Sequence, residues 1–304
     1  MDSLYAIGTR RPSASAAPPA APAPSSAPAA SVQVFPYDVL LAPGGTQSYR
    51  VRLFDAKGAF VREAPAASVT WAVEQVQGAV AGGTFTAGGG NSAGFVKATV
   101  DGLTGQARVR VVAPMPMTYD FENPAAEGPP AWWVGAPGKV FRRSVEGVGA
   151  VLMRPRDETV GRRAKVFIGP SDASGYTVEV DVRGREQRRQ RGDVGLINQR
   201  YGLVLFGNGQ KLELHPWQAA DEMTVRVPFA WEPDTWYRMK LRVDNQPDGT
   251  TRVRGKVWKA DGAEPDAWTI EKVDTLPHRE GSPGIYGDGI SDVYFDNLKV
   301  YPNQ

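Results

Sequence analysis

From Trp236 to Val243, apolar and polar positions alternate without a break. Tyr237, Met239, Leu241 and Val243 fall on one face, and Trp236, Arg238, Lys240 and Arg242 on the other. A period of two is the mark of a half-buried strand. The next apolar run has the same alternation, setting Arg252, Arg254, Lys256 and Trp258 on its polar side. Between Tyr176 and Arg183, Tyr176, Val178, Val180 and Val182 alternate with Thr177, Glu179, Asp181 and Arg183. Val69, Trp71 and Val73 repeat the pattern near the N-terminus, so Trp71 reads as a core residue. No long stretch carries the 3.6-residue period of a helix.

Short apolar runs recur along most of the chain. They lie at Val32–Phe35, Gln47–Phe54, Val69–Val73, Gly83–Ala87, Gly94–Val100 and Ala107–Val112. A second series lies at Tyr176–Arg183, Gly195–Asn198, Gly202–Phe206, Lys211–His215, Thr235–Val243, Arg252–Trp258, Gly281–Tyr286 and Val293–Val300. The 34 Gly and 25 Pro fall largely between such runs, as turn punctuation. The pattern predicts an all-β protein made of two sandwiches.

Residues 11–30 are one Arg, six Pro, four Ser and nine Ala. Such a segment buries too little apolar area to offset its ordering entropy, and its prolines favour an extended spacer. The boundaries read as 1–10 for a lone strand, 11–31 for the linker, 32–113 for a first sandwich and 114–304 for a second. Before the linker, Leu4, Ala6 and Gly8 alternate with Tyr5 and Ile7. One strand has no partner, so this segment is expected to close a domain lying upstream. Met1–Gly8 has neither the basic nor the apolar region of a signal peptide.

Three resemblances attach to these segments. Asp2-Ser-Leu-Tyr-Ala-Ile-Gly8 resembles the last strand of a repeat in quinoprotein-type and outer-membrane-assembly-type β-propellers. Leu41-Ala-Pro-Gly-Gly-Thr46, Phe54-Asp-Ala-Lys-Gly58, Val69-Thr-Trp71, Gly83-Thr-Phe-Thr-Ala87 and Ala107-Arg-Val-Arg-Val111 together resemble bacterial Ig-like domains. Met117-Thr-Tyr-Asp-Phe-Glu122, Gly128-Pro-Pro-Ala-Trp-Trp133, the Trp236 strand and Val293-Tyr-Phe-Asp-Asn-Leu-Lys-Val-Tyr301 resemble concanavalin A-like lectin/glucanase jelly rolls. The resemblance is nearest to the versions appended to bacterial propeller proteins. It implies an Ig-like sandwich serving as a stalk, followed by a jelly roll that holds or cuts sugars.

Glucanases of this fold carry Glu-x-Asp-x-x-Glu on one strand, since hydrolysis needs two carboxyls about 5 to 9 Å apart. Here the strand reads Glu179-Val-Asp181-Val-Arg-Gly184, so the third carboxyl is missing. No catalytic residue is therefore assigned. Glu179 and Asp181 fit a ladder of opposite charges with Arg238, Lys240 and Arg242 across a sheet face, each pair worth ~0.2–1 kcal/mol. The same face admits a glycan reading. Trp236 and Trp258 would be exposed platforms, with Arg238, Arg254, Lys256, Glu179 and Asp181 beside them. The basic neighbours would favour an acidic glycan.

Other chemistry is sparse. Arg183, Arg185, Arg188, Arg189 and Arg191 lack interleaved aromatics and read as a solvated hairpin. His215 and His278 have no metal-ligand spacing. The jelly-roll resemblance implies a Ca²⁺ tying the first and last strands together, where Asp120 and Asp296 could meet with Glu122, Asp288 and Asp292 nearby, though no cofactor is assigned. There is no cysteine, so disulfides and thiolate chemistry are excluded. A net charge of +2 gives no case for nucleic acid, and no apolar run is long enough to span a membrane as a helix. The expectation is a non-catalytic, extracytoplasmic binding or adhesion region. Its partners would be a carbohydrate or cell-envelope component and an upstream propeller. The alternatives are a sugar hydrolase similar to 3-keto-disaccharide hydrolases, or a jelly roll that only packs on the propeller.

Overall fold

The computed structural model describes residues 23–123, 128–146, 148–157, 163–218 and 221–304. Among these residues the chain is all strand and loop, with only two single 3-10 turns, Ala66–Ser68 and Asp221–Met223. The all-β prediction holds. The strand assigned to residues 1–10, and the linker up to residue 22, lie outside the described residues.

The N-terminal unit is a small sandwich. One sheet runs Ala29–Phe35, Arg50–Asp55, Phe60–Glu63. A second runs Asp38–Leu41, Leu103–Val111, Ser92–Val100, Thr70–Glu74, with its first pair parallel. A third joins Thr46–Ser48, Thr84–Ala87 and Gly78–Ala81. Val34, Leu53, Phe85, Val96 and Val109 meet in a fully buried core. The single strand predicted over Gln47–Phe54 is broken at Tyr49, whose N–H donates to the Gly83 carbonyl (2.8 Å). The break lets one run serve two sheets. Trp71 packs against this core but remains half-buried, lying against Gly83 and Tyr49. The first strand begins at Ala29, inside the segment read as linker. Ser25 anchors the approach, its Oγ donating to Asp55 Oδ2 (2.7 Å) and its N–H to the Phe60 carbonyl (2.7 Å).

The C-terminal unit is a larger, two-sheet sandwich of the jelly-roll kind. Its eight-stranded sheet is ordered Phe141–Val145, Gly149–Arg154, Val293–Pro302, Tyr176–Gly184, Tyr237–Asn245, Thr251–Lys259, Ile270–Asp274, with Met117–Tyr119 also paired to Val293–Pro302. Its six-stranded sheet is ordered Ala164–Phe167, Gly284–Asp288, Asp193–Asn198, Tyr201–Phe206, Lys211–Pro216, Val225–Pro228. The alternating valines 178, 180 and 182, with Met239, Leu241 and Val243, face Leu196, Leu203, Leu205 and Leu214 between the sheets. Burying each such side chain contributes about 1.5–3 kcal/mol, which is why a strict period of two fixes the face. Trp231 completes the layer. Its ring lies over Gly184, where an added Cβ would stand 2.3 Å from Cη2.

The edge strand Ala164–Phe167 gains one further partner. Val134 N–H donates to the Phe167 carbonyl and Phe167 N–H to the Val134 carbonyl, both at 2.9 Å.

Candidate functional site

The residues singled out in the sequence do share one face, the outer side of the eight-stranded sheet. Register sets Arg238 between Asp181 and Trp258, Lys240 between Glu179 and Lys256, and Arg242 beside Arg254. Asp181 takes a two-pronged bond from Arg238 (Nε–Oδ1 2.6 Å, Nη2–Oδ2 2.9 Å) and a third from Asn297 Nδ2 (3.0 Å). Glu179 meets Lys240 (3.1 Å) and the Tyr301 hydroxyl (3.2 Å). Asp244 joins Arg242 (2.9 Å) and Arg254 (2.8 Å). This is the charge ladder.

The segment between Lys259 and Ile270 then covers part of the ladder. Glu264 binds Lys240 (2.5 Å) and Lys256 (3.1 Å), and the Pro265 carbonyl accepts from Lys256 (2.5 Å). The Trp268 ring lies 4.9 Å from the Arg254 guanidinium and 4.7 Å from the Lys256 ammonium. Lys256 is consequently only 6% exposed and Trp258 only 9%. The expectation that Trp258 stands free as a platform is corrected, because the covering segment was not visible in the strand pattern. Trp236 is half-buried just ahead of its strand, its carbonyl accepting from Ala260 N–H (2.9 Å). Glu179, Asp181, Arg238, Arg254 and Lys256 each already have a charged partner within the protein, although the buried Arg254 Nε makes no hydrogen bond. Each of the two carboxylates is engaged by a cation, Asp181 by Arg238 and Glu179 by Lys240.

The proposed calcium ligands do not form a cage. Asp288 pairs with Arg163 (3.0 Å), Asp292 accepts from Arg156 N–H (2.7 Å), and Glu122 accepts from Ala150 N–H (3.0 Å). No group of three His, Asp or Glu side chains among the described residues is placed to hold a metal ion. Asp296 does feel Asp181, Glu122 and Asp120. Burial first, and then those charges, push its carboxyl up to about 6. The arginine cluster forms the expected hairpin, Glu186–Gln187 against Gln190–Arg191. Arg188 and Arg189 both take positive φ, the type I′ geometry of a two-residue turn.

A different face is open. On the outer side of the six-stranded sheet stand Lys165, Phe167, His215 and Tyr286, over a floor containing Gly195, Gly202 and Gly284. Trp217, just past the Lys211–Pro216 strand, is 51% exposed. Its N–H donates to the Arg200 carbonyl (2.7 Å), which draws it back over the sheet. The Lys165 ammonium lies 3.9 Å from its ring centre and Phe167 lies 6.0 Å away at 46°. Phe167, Ile197, Arg200, Trp217 and His278 line a cleft of about 310 Å³. A smaller hollow of about 40 Å³ adjoins it, bounded by Lys165, Gly202, His215, Trp217 and Tyr286.

Local chemistry fixes these groups. Gln199 and Arg200 form the two-residue turn after Asn198, at φ 47° and 69°. Gln199 is fully buried and fully used: Oε1 accepts from Gly175 N–H (2.6 Å), and Nε2 donates to Asn245 Oδ1 (3.2 Å) and the His278 carbonyl (3.3 Å). Pinning Gln199 fixes where Arg200 projects. Burial lowers the pKa of His215 and of His278, keeping both imidazoles neutral near pH 7. Burial, and then Arg163, lower that of Lys165. At the far end, Asp193 and Asp288 sit opposite each other across two strands. Burial raises the Asp193 pKa, while Arg163 and the Tyr286 hydroxyl (3.2 Å) hold Asp288.

The pattern reading did not mark this face. Ala164–Phe167 is only four residues long, and Trp217 follows its strand, outside any alternation. The available signal was Gly202, Gly195 and Gly284, unusual inside strands and marking close approach.

No protein-family model matches the chain, and no curated protein matches it. Among solved structures it is similar to a β-1,3-glucanase from Mycobacterium marinum, at 16% identity and TM-score 0.41, over 62% of this chain and 99% of that one. It is similar also to lectin II from Ulex europaeus, at 9% identity and TM-score 0.40, over 62% and 99%. A third is the carbohydrate recognition domain of Emp47p, at 10% identity and TM-score 0.41, over 61% and 94%.

Proposed function

We propose that this chain is a carbohydrate-binding region whose larger sandwich holds a glycan on the outer face of the six-stranded sheet. One observation carries the reading: Trp217 is half exposed beside a cleft of about 310 Å³ that Phe167 also lines. Sugars stack their apolar C–H faces on such rings, with a few polar groups setting orientation. Leaving an indole wet forgoes roughly 25 cal/mol for each Å² of apolar surface, so an exposed ring at a cleft mouth favours an occupant. On this reading the region is non-catalytic and extracytoplasmic, a glycan- or cell-envelope-binding module. The smaller sandwich acts as a bacterial Ig-like stalk, and a β-propeller lies upstream. The reading frame ahead of Met1 tests that last attachment.

The test of the binding site is retention of the whole chain on immobilised polysaccharides. Trp217→Ala is expected to lose retention while its melting temperature stays close to that of the parent. Unchanged retention overturns the reading.

Asp193 and Asp288 favour a second reading, a sugar hydrolase. They are neighbouring carboxyls, one pushed toward its neutral form by burial and the other paired to a cation. A carboxyl raised by burial beside a second carboxyl suits general-acid work. Release of reducing ends that stops in Asp193→Asn would establish it, and no release leaves binding as the function.

A further inference from the structure

Among the described residues, some strand cations are paired with carboxylates and others, such as Arg252, Lys272 and Lys299, are not. On the eight-stranded sheet, Arg238, Lys240, Arg242, Arg254 and Lys256 each contact a carboxylate. On the six-stranded sheet, Arg163 holds Asp288, while Lys211 and Arg226 hold Glu213. Lys165 and Arg200 differ. Among the described residues neither has a carboxylate within salt-bridge distance, and both line the hollow beneath Trp217. The hollow and the adjoining cleft together contain no Asp or Glu in their walls. His215, also in the wall, has a buried Nδ1 that makes no hydrogen bond and lies 3.4 Å from Glu213 Oε1, behind the wall.

The Arg200 backbone adds an independent observation. A non-glycine residue at φ 69° is held in a sparsely populated region. Two-residue turns of this kind ordinarily use Asn-Gly. Here the buried hydrogen bonds of Gln199 enforce the conformation, and a long cation projects where a glycine would fit most easily. Strain of this kind, held by surrounding structure, concentrates at ligand clamps.

We propose that the site binds an anionic sugar, a pyranose carrying a carboxylate or a sulfate ester, with its ring against Trp217 and its anion received by Lys165 and Arg200. The inference rests on the glycan-binding reading and narrows it to one ligand class. A planar guanidinium takes such an anion through two parallel bonds, and an ammonium supplies a point charge beside it. The walls carry no carboxylate to repel it. Neutral sugars leave both cations uncompensated in a partly dry hollow, which is the penalty that gives specificity.

Affinity electrophoresis of the whole chain tests this, with polygalacturonate, dextran sulfate or neutral dextran cast in the gel. The parent is expected to be retarded by polygalacturonate, by dextran sulfate or by both, and not by dextran. The pair of anionic gels separates a carboxylate from a sulfate preference. Combining Lys165→Gln with Arg200→Gln is expected to weaken binding by at least about tenfold, roughly 1.4 kcal/mol. Lys57→Gln, in an exposed turn of the smaller sandwich, is expected to leave binding unchanged. Parent-like binding by the double variant overturns the anion assignment. So does an equal loss in Lys57→Gln, which would mark diffuse attraction, or equal retardation by dextran. If Trp217→Ala still abolishes retardation in those cases, the glycan site stands without its anion preference. If none of the three polysaccharides retards the parent, both readings fall.

Discussion

The ammonium of Lys165 and the indole of Trp217 meet at 3.9 Å, although three strands separate Ala164–Phe167 from Lys211–Pro216, the strand that Trp217 follows. Strands in a flat sheet are spaced about 4.8 Å apart, so four intervals would part the two by on the order of 19 Å. The contact requires a curved sheet, a Trp217 drawn inward by its bond to the Arg200 carbonyl, and bare glycines on the floor between. A cation over an indole contributes about 0.5–1 kcal/mol at an exposed site. Lys165→Met is therefore expected to lower stability by no more than about 1 kcal/mol. Chemical denaturation measures that change, and an altered tryptophan emission spectrum would report the lost cation.

Trp258 tests the covered face. It lies under the segment bearing Glu264 and Trp268, with the Lys240 ammonium 5.7 Å from its ring. Trp258→Ala is expected to cost ~3 kcal/mol in urea unfolding, as large-to-small changes at buried sites do. A loss below about 1 kcal/mol would show that the segment does not hold the ring down.

Packing requires glycine at position 184. Its missing Cβ would stand 2.3 Å from the Trp231 ring, on the core side of the strand. Gly184→Glu is expected to destabilise by more than about 3 kcal/mol, through overpacking and a buried charge. Calorimetry would show it, and a folded variant of parental stability would refute the packing argument.

Asp296 gives a pH dependence. Its carboxyl is pushed up to about 6 in the folded state, against an ordinary value near 3.8. Between those values the folded chain keeps a proton that the unfolded chain has released. The contribution to stability therefore falls as pH rises through that window, and the full penalty remains above it. Asp296→Asn is expected to raise the melting temperature at about pH 7.5 and to leave it unchanged at about pH 3.5. A gain of equal size at both pH values would remove the electrostatic explanation.

Arg200→Gly separates the two demands on the Gln199–Arg200 turn. Glycine relieves the positive φ, and stability is expected to rise by about 1 kcal/mol. Polysaccharide binding is expected to fall in the same variant. A stabilised variant with full binding would show that the arginine is not what the strain serves.

How much of this was legible in the sequence depends on the length of each run. Tyr176–Gly184 and Tyr237–Asn245 were plain, because nine alternating residues leave little choice of face. Ala164–Phe167, Val225–Pro228 and Ile270–Asp274 were missed, since four or five residues cannot establish a period. Glu179 and Asp181 share a face with Arg238 and Lys240, as alternation implies, whereas the neighbouring of their strands comes from the fold. The covering of Lys256 by Glu264 and Trp268 was not readable, since it comes from a loop with no period. Trp217 escaped notice for the same reason. Its position depends on a backbone bond to Arg200, a contact between residues 17 apart that strand patterning does not encode.

The single bridge at Val134 bears on how closely many copies could be crowded together. An unpaired sheet edge is a template for joining a second chain wherever copies meet at high density. One border of the six-stranded sheet is stoppered where Val134 exchanges both backbone bonds with Phe167. The opposite border ends in Pro228, which has no N–H to offer, and carries the charge of Arg226. With both of its borders blunted, the six-stranded sheet offers neighbouring copies no ready seam along which to polymerise.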